Sequence, residues 1–149
     1  MQNSNNNKER ILDENSPSVI AHLSITQNVI QRMASNSASC KTWCITLVSA
    51  VLVIVSEKPE SKYANIALLP TVLFFILDTY YLALEKDFRN YYNDFINKLH
   101  NDKITSNNIY FIKPSAKLKS FFLKSICSLS IWPFYFGLLA IIFLLKYLF

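Results

Sequence analysis

The chain has 149 residues, 52% of them hydrophobic and 17% charged, with a formal net charge of +5. This length allows one domain, and the single glycine, Gly137, excludes both a glycine-rich phosphate loop and a GxxxG helix-dimer motif. No Ser-His-Asp or Cys-His arrangement is legible in the sequence. We therefore predict a protein that is not an enzyme and that needs no cofactor.

The N-terminal part of the chain is polar and then becomes amphipathic. Residues 1–16 are rich in asparagine and lack the apolar core of a signal peptide, so we predict that they are disordered. The pair Ser16-Pro17 is typical of a helix start. Apolar residues, among them Leu23 and Ile30, then recur at helical spacing. This pattern predicts an amphipathic cytoplasmic helix over residues 17–38.

Apolar stretches that are nearly free of charge predict three transmembrane helices, at residues 41–57, 63–84 and 125–145. The first stretch follows a predicted end of the amphipathic helix near residues 36–39. It is the shortest, and it spans a bilayer only if Lys41 and Glu57 reach the two interfaces. Pro70 in the second stretch and Pro133 in the third are each expected to kink their helix. The predicted fold is therefore an all-α membrane protein with three transmembrane helices.

The second apolar stretch does not stop at the membrane, because its helical pattern continues to residue 100. Along this extension an apolar stripe follows 3-4 spacing and includes Tyr81, Phe88, Tyr91 and Phe95. The stripe is expected either to pack against residues 17–38 or to bind a partner. We call the two predicted cytoplasmic helices, residues 17–38 and 84–100, the stalk. Residues 101–114 break the pattern and are predicted to form a loop.

Basic residues predict the orientation of the chain in the membrane. Twelve of the 15 lysines and arginines lie before the first predicted span or between the second and third, so that side is predicted to be cytoplasmic and the C-terminus external. Lys113, Lys117 and Lys119 precede the third span, where anionic lipid headgroups attract each of them by about 1 kcal/mol. Nucleic-acid binding requires more than this charge, so the lipid bilayer is the predicted partner.

A carboxylate inside the second predicted span is expensive and marks a candidate site. Asp78 lies near the cytoplasmic end of this span, at about the depth of Lys41 and Lys124. We expect an ion pair with one of these lysines that locks the helices together; the alternative is a proton- or ion-coupled site. Glu85 shares the face of Asp78, and Arg89 follows Glu85 at the spacing of a helical ion pair.

Other polar residues in the apolar regions support only modest predictions. One face of the first span carries the hydroxyl residues Thr42, Thr46, Ser49 and Ser56, which is typical of close helix contact; the alternative is the lining of a pore in an oligomer. The cysteines are Cys40, Cys44 and Cys127, and the histidines are His22 and His100. Their spacing does not form a tetrahedral metal site, so no metal is predicted.

The order of several short motifs resembles a family of small bacterial multi-span membrane proteins. These motifs are Asn36-Ser37, residues 41–50, Leu69-Pro70, residues 77–85 and Phe88-Arg89. The family is similar in type to transmembrane effectors of antiphage systems, in which a cytoplasmic sensor triggers damage to the inner membrane. The resemblance implies an oligomeric inner-membrane effector with a cytoplasmic sensor as partner. The alternatives are an anchor subunit for a soluble protein and a small channel or transporter. Cys40 and Cys44 depart from the family pattern.

Overall fold

The computed structural model of the protein describes residues 12–57, 63–101, 103–115 and 118–148. Helices make up most of this part of the chain: α1 (Pro17–Glu57), α2 (Leu68–Leu99), α3 (Leu118–Ile126) and α4 (Trp132–Leu148), with short 3-10 helices at Tyr63–Ala67 and Ser106–Asn108. These residues contain no β-strand, which confirms the predicted all-α class. The predicted disorder of residues 1–16 and the turn after the first span fall mainly outside the described residues.

Helix α1 is continuous over 41 residues, so the predicted end near residues 36–39 is wrong. The sequence Asn36-Ser37-Ala38-Ser39 has a low helix propensity, worth a few tenths of a kcal/mol per residue. This cost is outweighed because Ser37 is buried against α2 and donates a hydrogen bond to Asp78. A tertiary contact, rather than local preference, therefore decides the helix here.

Helix α2 has 32 residues, or a length of about 48 Å at 1.5 Å per residue. Pro70 is the third residue of this helix and lies in its first turn. The backbone N–H that proline lacks has no partner in a first turn, so Pro70 removes no helical hydrogen bond. Helix α2 begins at Leu68, after the 3-10 helix Tyr63–Ala67, and so later than the sequence predicts. The prediction that Pro70 kinks a helix is therefore wrong.

The predicted third span is divided between two helices, because residues 127–131 separate α3 from α4. The Ser128 carbonyl accepts hydrogen bonds from the N–H groups of Ile131 and Trp132, at 3.0 and 3.2 Å, and so begins a new helix. Pro133 is the second residue of α4, where proline is tolerated, and it starts the helix instead of kinking it. The remaining apolar helix of 17 residues is about 25 Å long.

The long helices α1 and α2 pack against each other in antiparallel order. At the stalk end Val19 packs with Phe95 and Leu99, and further along Ile30 packs with Phe88. Helix α4 then lies against the apolar halves of both, with α4 antiparallel to α2. Contacts that establish this direction are the rings of Phe75 and Tyr135, whose centroids are 5.3 Å apart, and a 3.1 Å hydrogen bond from Lys146 to Asn65.

Two of the helical segments are long and apolar enough to cross a membrane. They are Pro17–Ile54 and Asn65–Leu99, whereas the apolar segment Trp132–Tyr147 of α4 is shorter. The 48 Å length of α2 exceeds the bilayer core of about 30 Å, so a crossing α2 projects into solvent at one end at least.

Candidate functional site

The carboxylate of Asp78 is fully buried, with 0% of its side chain exposed, and it is held by two residues of α1. Lys41 Nζ lies 2.7 Å from Oδ2, and the Ser37 hydroxyl donates a hydrogen bond to Oδ1. Lys41 Nζ also lies 3.4 Å from Ser37 Oγ. We call Ser37, Lys41 and Asp78 the ion-pair cluster. Of the two predicted partners of Asp78, the structure places Lys41 here, whereas Lys124 is exposed on α3.

Charge and burial make the ion-pair cluster a lock between α1 and α2. A buried ion pair contributes little net stability, but removing one partner leaves an uncompensated charge at a cost of about 3–5 kcal/mol. Lys41 keeps 21% of its side chain exposed, although its Nζ lies against the fully buried carboxylate. Ser37 and Lys41 are one helical turn apart, which is why one face of α1 supplies both groups.

Helix α4 adds a further polar group to the same interior. The Tyr135 hydroxyl is buried and has no hydrogen-bond partner within 3.5 Å among the described residues. The Tyr135 ring packs on Phe75 of α2 with centroids 5.3 Å apart, and it belongs to the same buried cluster as Cys44 of α1. Three helices therefore contribute polar side chains near the level where the stalk meets the apolar half. Sequence reasoning missed Ser37 and Tyr135, since neither carries a charge that stands out in an apolar stretch.

The second predicted ion pair lies on the surface of α2. Arg89 Nε donates to Glu85 Oε1 at 2.8 Å, and 60% of the Arg89 side chain is exposed. Exposed pairs at this helical spacing contribute about 0.3–0.5 kcal/mol. Glu85 is about two turns from Asp78 along α2, and the pair stabilises the helix locally.

The predicted aromatic stripe is used for packing inside the chain. Phe88 is 7% exposed and Phe95 is 4% exposed, and Ile30 of α1 packs on Phe88. Leu23 belongs to the neighbouring cluster around Phe95. Tyr81 lies at the edge of the Phe88 cluster. Helix packing, one of the two predicted uses of the stripe, therefore occupies its central residues.

A buried histidine connects α1, α2 and the loop at the stalk end. The Tyr110 backbone N–H donates to His22 Nδ1 at 3.0 Å. His22 Nε2 lies 3.2 Å from the Tyr91 hydroxyl, which donates to the Phe111 carbonyl at 2.9 Å. Since Nδ1 accepts, the neutral ring carries its proton on Nε2 and donates it to Tyr91. We call these groups the His22 network.

The His22 network requires an uncharged imidazole. Burial lowers the pKa of His22 from its ordinary value of 6.5 and raises the pKa of Tyr91. The Phe95 ring packs on His22 with centroids 4.4 Å apart. Tyr110 has a φ of 64°, in the left-handed region that a bulky residue rarely adopts. The hydrogen bond to His22 therefore holds a strained loop residue in place.

A buried aspartate that the sequence did not single out fastens the next part of the loop. Asp87 is 1% exposed, and its Oδ2 accepts a 2.6 Å hydrogen bond from the Ser115 backbone N–H. The Ser115 hydroxyl also donates to Asp87 Oδ1. Charge-assisted bonds of this kind are about twice as strong as neutral ones. Asp87 therefore fixes the loop just before α3 against the middle of α2.

The remaining predicted positions lie on the outside. Thr42, Thr46 and Ser49 are exposed, and the two threonine hydroxyls donate to carbonyls of their own helix, at 3.3 and 2.9 Å. Close contact of this face with another helix does not occur among the described residues, and the Ser56 side chain falls outside them. Lys113 lies 4.4 Å from the centroid of the Phe111 ring.

Lys119 is exposed, whereas Lys117 falls outside the described residues. Cys40 and Cys44 are buried free thiols, and Cys127 is exposed. The two histidines contact different groups: His100 Nε2 lies 3.6 Å from Glu14 Oε1, whereas His22 contacts Tyr91 and Tyr110. The described part of the chain holds no group of three or more His, Cys, Asp or Glu side chains able to bind a metal ion.

These features define an all-helical protein with two helices that could cross a membrane and a buried charge pair between them. No protein-family model, curated protein or solved structure matches the chain.

Proposed function

We propose that the protein is a non-enzymatic effector of the bacterial inner membrane that perturbs the bilayer when a signal reaches its stalk. The carrying observation is the continuity of α1 and α2, each of which includes both a stalk segment and an apolar segment. The ion-pair cluster joins the two helices where these segments meet. A displacement of the stalk helices is therefore transmitted to the apolar half without an intervening hinge.

Exposed apolar surface supports placement in a membrane. Large apolar side chains with at least 44% of their surface exposed occur on three helices: Trp43, Leu47, Val53 and Ile54 on α1; Leu69, Val72, Leu73 and Ile76 on α2; Phe136, Ile141, Phe143 and Leu144 on α4. Soluble monomers rarely expose contiguous apolar surface of this extent. Lipid tails are the occupant that this distribution around the molecule favours.

The proposed topology places the stalk in the cytoplasm and the C-terminus outside. Its support is the distribution of basic residues, 12 of 15 of which belong to the stalk side. In this arrangement α3 lies at the cytoplasmic interface and α4 makes a short third crossing. The 3.1 Å hydrogen bond from Lys146 to Asn65 then lies at the external side.

The mode of action that we propose is release of the ion-pair cluster in a homo-oligomer. A cytoplasmic sensor protein is the proposed source of the signal, by the resemblance to effectors of antiphage systems. When α1 and α2 move apart, Asp78 and Lys41 lose each other inside an apolar environment, where unpaired charges recruit water. Hydrated charges between helices of neighbouring copies would then breach the permeability barrier.

The two alternatives have less support in the structure. An anchor that binds a soluble partner through the aromatic stripe needs free side chains, and Phe88 and Phe95 are buried. A transporter usually has several ionisable groups in the membrane, and the one described carboxylate of the apolar half, Asp78, is engaged by Lys41 and Ser37.

Membrane potential in bacterial cells tests the proposal. We expect induced expression of the full chain to depolarise the inner membrane and to admit an otherwise excluded dye. Asp78→Asn alters this response because it removes the charge that Lys41 neutralises. Asp94→Asn, a change at an exposed carboxylate of the same helix, leaves it as in the wild type. Unchanged potential and dye uptake at verified membrane expression would overturn the proposal.

A further inference from the structure

An apolar groove lies between α2 and α3, near the proposed cytoplasmic face of the membrane. Its volume is about 410 Å³, and it is lined by Tyr80, Leu118, Lys119, Phe122 and Leu123. The groove is open along one side, and Leu123 at its edge has 66% of its surface exposed. Its walls are apolar, so water fills it poorly. The one charged lining residue is Lys119, which is exposed.

The position of the groove along α2 relates it to the bilayer surface. Tyr80 is two residues from Asp78, and so about 3 Å from it along the helix axis. At this level the ion-pair cluster joins α1 and α2 where the stalk and the apolar segments meet, which the proposed topology places at the cytoplasmic face. Helix α3 leads from the loop fastened at Asp87 toward the apolar helix α4. Lys119 in its first turn therefore lies on the stalk side of Leu123, and the groove extends from it into the apolar half.

We propose that this groove binds one anionic phospholipid, with an acyl chain between α2 and α3 and the headgroup phosphate on Lys119. The proposal rests on the membrane placement made under the proposed function. Charge complementarity selects the occupant, since an apolar groove whose one charged lining residue is a lysine in the first turn of α3 matches one acyl chain that ends in one anionic phosphate. A zwitterionic lipid fills the groove equally well but lacks the net charge that Lys119 attracts.

Native mass spectrometry of the full chain, purified in detergent, tests this site. The protein is exposed in parallel to phosphatidylglycerol, to phosphatidylcholine with the same acyl chains, and to glycerophosphoglycerol, which has no acyl chains. We expect one phosphatidylglycerol to be retained per chain, with an affinity about fivefold above that for phosphatidylcholine, the ratio that one headgroup contact of a lysine supplies. The headgroup compound alone is not retained.

Three variants separate a built site from general attraction of charge. Lys119→Gln is expected to reduce the phosphatidylglycerol affinity to that of phosphatidylcholine. Lys124→Gln, a change on the same helix but outside the groove, keeps the preference. Leu123→Trp keeps every charge but fills the groove, and it is expected to lower retention of both lipids. Circular dichroism and gel filtration verify that the variants are folded.

Three outcomes would overturn the proposal: no preference for phosphatidylglycerol, equal losses in Lys119→Gln and Lys124→Gln, or unchanged retention in Leu123→Trp. These outcomes leave the membrane-potential assay unaffected, so the lipid site can fail while the proposed effector function stands. A protein that is soluble and retains no lipid of either kind contradicts both.

Discussion

The α1–α2 pair is joined by two different kinds of polar contact, one where the stalk meets the apolar half and one at the stalk end. At the first position the contact is between charges, since Lys41 and Asp78 form a buried pair with Ser37. At the stalk end the contact is between neutral groups, since His22 links Tyr91 to the Tyr110 backbone. Breaking a charge pair leaves a bare charge in an apolar site, whereas breaking the neutral contact leaves groups that water can solvate. We therefore expect the stalk end to open before the ion-pair cluster.

The largest expected effect tests the charged contact. Lys41→Met leaves the Asp78 carboxylate buried without its cation, and we expect a loss of about 3–5 kcal/mol in the free energy of unfolding. Adding Asp78→Leu removes the bare charge and is expected to restore most of this loss. Unfolding of the detergent-purified protein by a denaturing detergent, followed by circular dichroism, measures both.

The exposed pair Glu85–Arg89 provides the matched control for that experiment. Arg89→Met is expected to cost no more than about 0.5 kcal/mol, because 60% of the Arg89 side chain is exposed to solvent. If Lys41→Met lowered the free energy of unfolding no more than Arg89→Met does, the ion-pair cluster would not lock α1 to α2. A double variant no more stable than Lys41→Met alone would contradict the bare-charge explanation.

A smaller effect is expected at Asp87, which lies between the two contacts. Asp87→Asn removes the charge that strengthens two hydrogen bonds from Ser115 and turns one acceptor into a donor. Hydrogen bonds to charged groups contribute about 1.5–3 kcal/mol, so we expect a loss of about 2 kcal/mol. Amide hydrogen exchange should increase over residues 109–115 while the ion-pair cluster remains protected. Asp94→Asn is the control, and equal exchange in both variants would contradict the assigned role of Asp87.

The sequence was informative where periodicity or an isolated charge carried the signal. The stripe around Phe88 and Phe95 follows helical spacing, and α2 accordingly continues as one helix to Leu99. Asp78 stands out in an apolar stretch, which made Lys41 a candidate partner. Asp87 gave no such signal, because it lies among charges that resemble a solvated helix face. Its burial depends on Ser115, 28 residues further along, folding back onto it.

Helix boundaries show the same limit of local reasoning. Residues 36–39 and 127–131 are both rich in serine, yet the first stretch is helical and the second interrupts a helix. The difference lies in the surroundings. Ser37 gains a buried hydrogen bond to Asp78 by staying helical, whereas the second stretch precedes Pro133, and proline favours a helix start there. Asp78 lies 41 residues from Ser37 and is not visible in a short window of sequence, whereas Pro133 is visible there but the sequence alone indicated a kink instead of a helix start.

The smallest expected effect, and the sharpest test of the comparison, is the pH dependence of the stalk end. Burial lowers the pKa of His22 in the folded chain from 6.5. As the pH falls through 6.5 the unfolded segment takes up a proton that the folded one resists, so stability is present above that pH and decreases below it. The side chains of Tyr91, Phe95 and Tyr110 pack against the His22 ring, and none of them carries a formal charge in this arrangement. We therefore expect the amides of residues 109–112 to be less protected at pH 5.5 than at pH 7.5, once the exchange rates are corrected for the intrinsic rate at each pH.

The variant His22→Gln should lose this pH-dependent acceleration, because glutamine can accept from Tyr110 and donate to Tyr91 without titrating. His100→Gln, at the exposed histidine, should keep it. Protonation of His22 is expected to loosen only the stalk end, which this histidine joins. An equal acceleration of amide exchange around Ser37 would therefore contradict the distinction between a neutral contact that titrates and a charged contact that does not open.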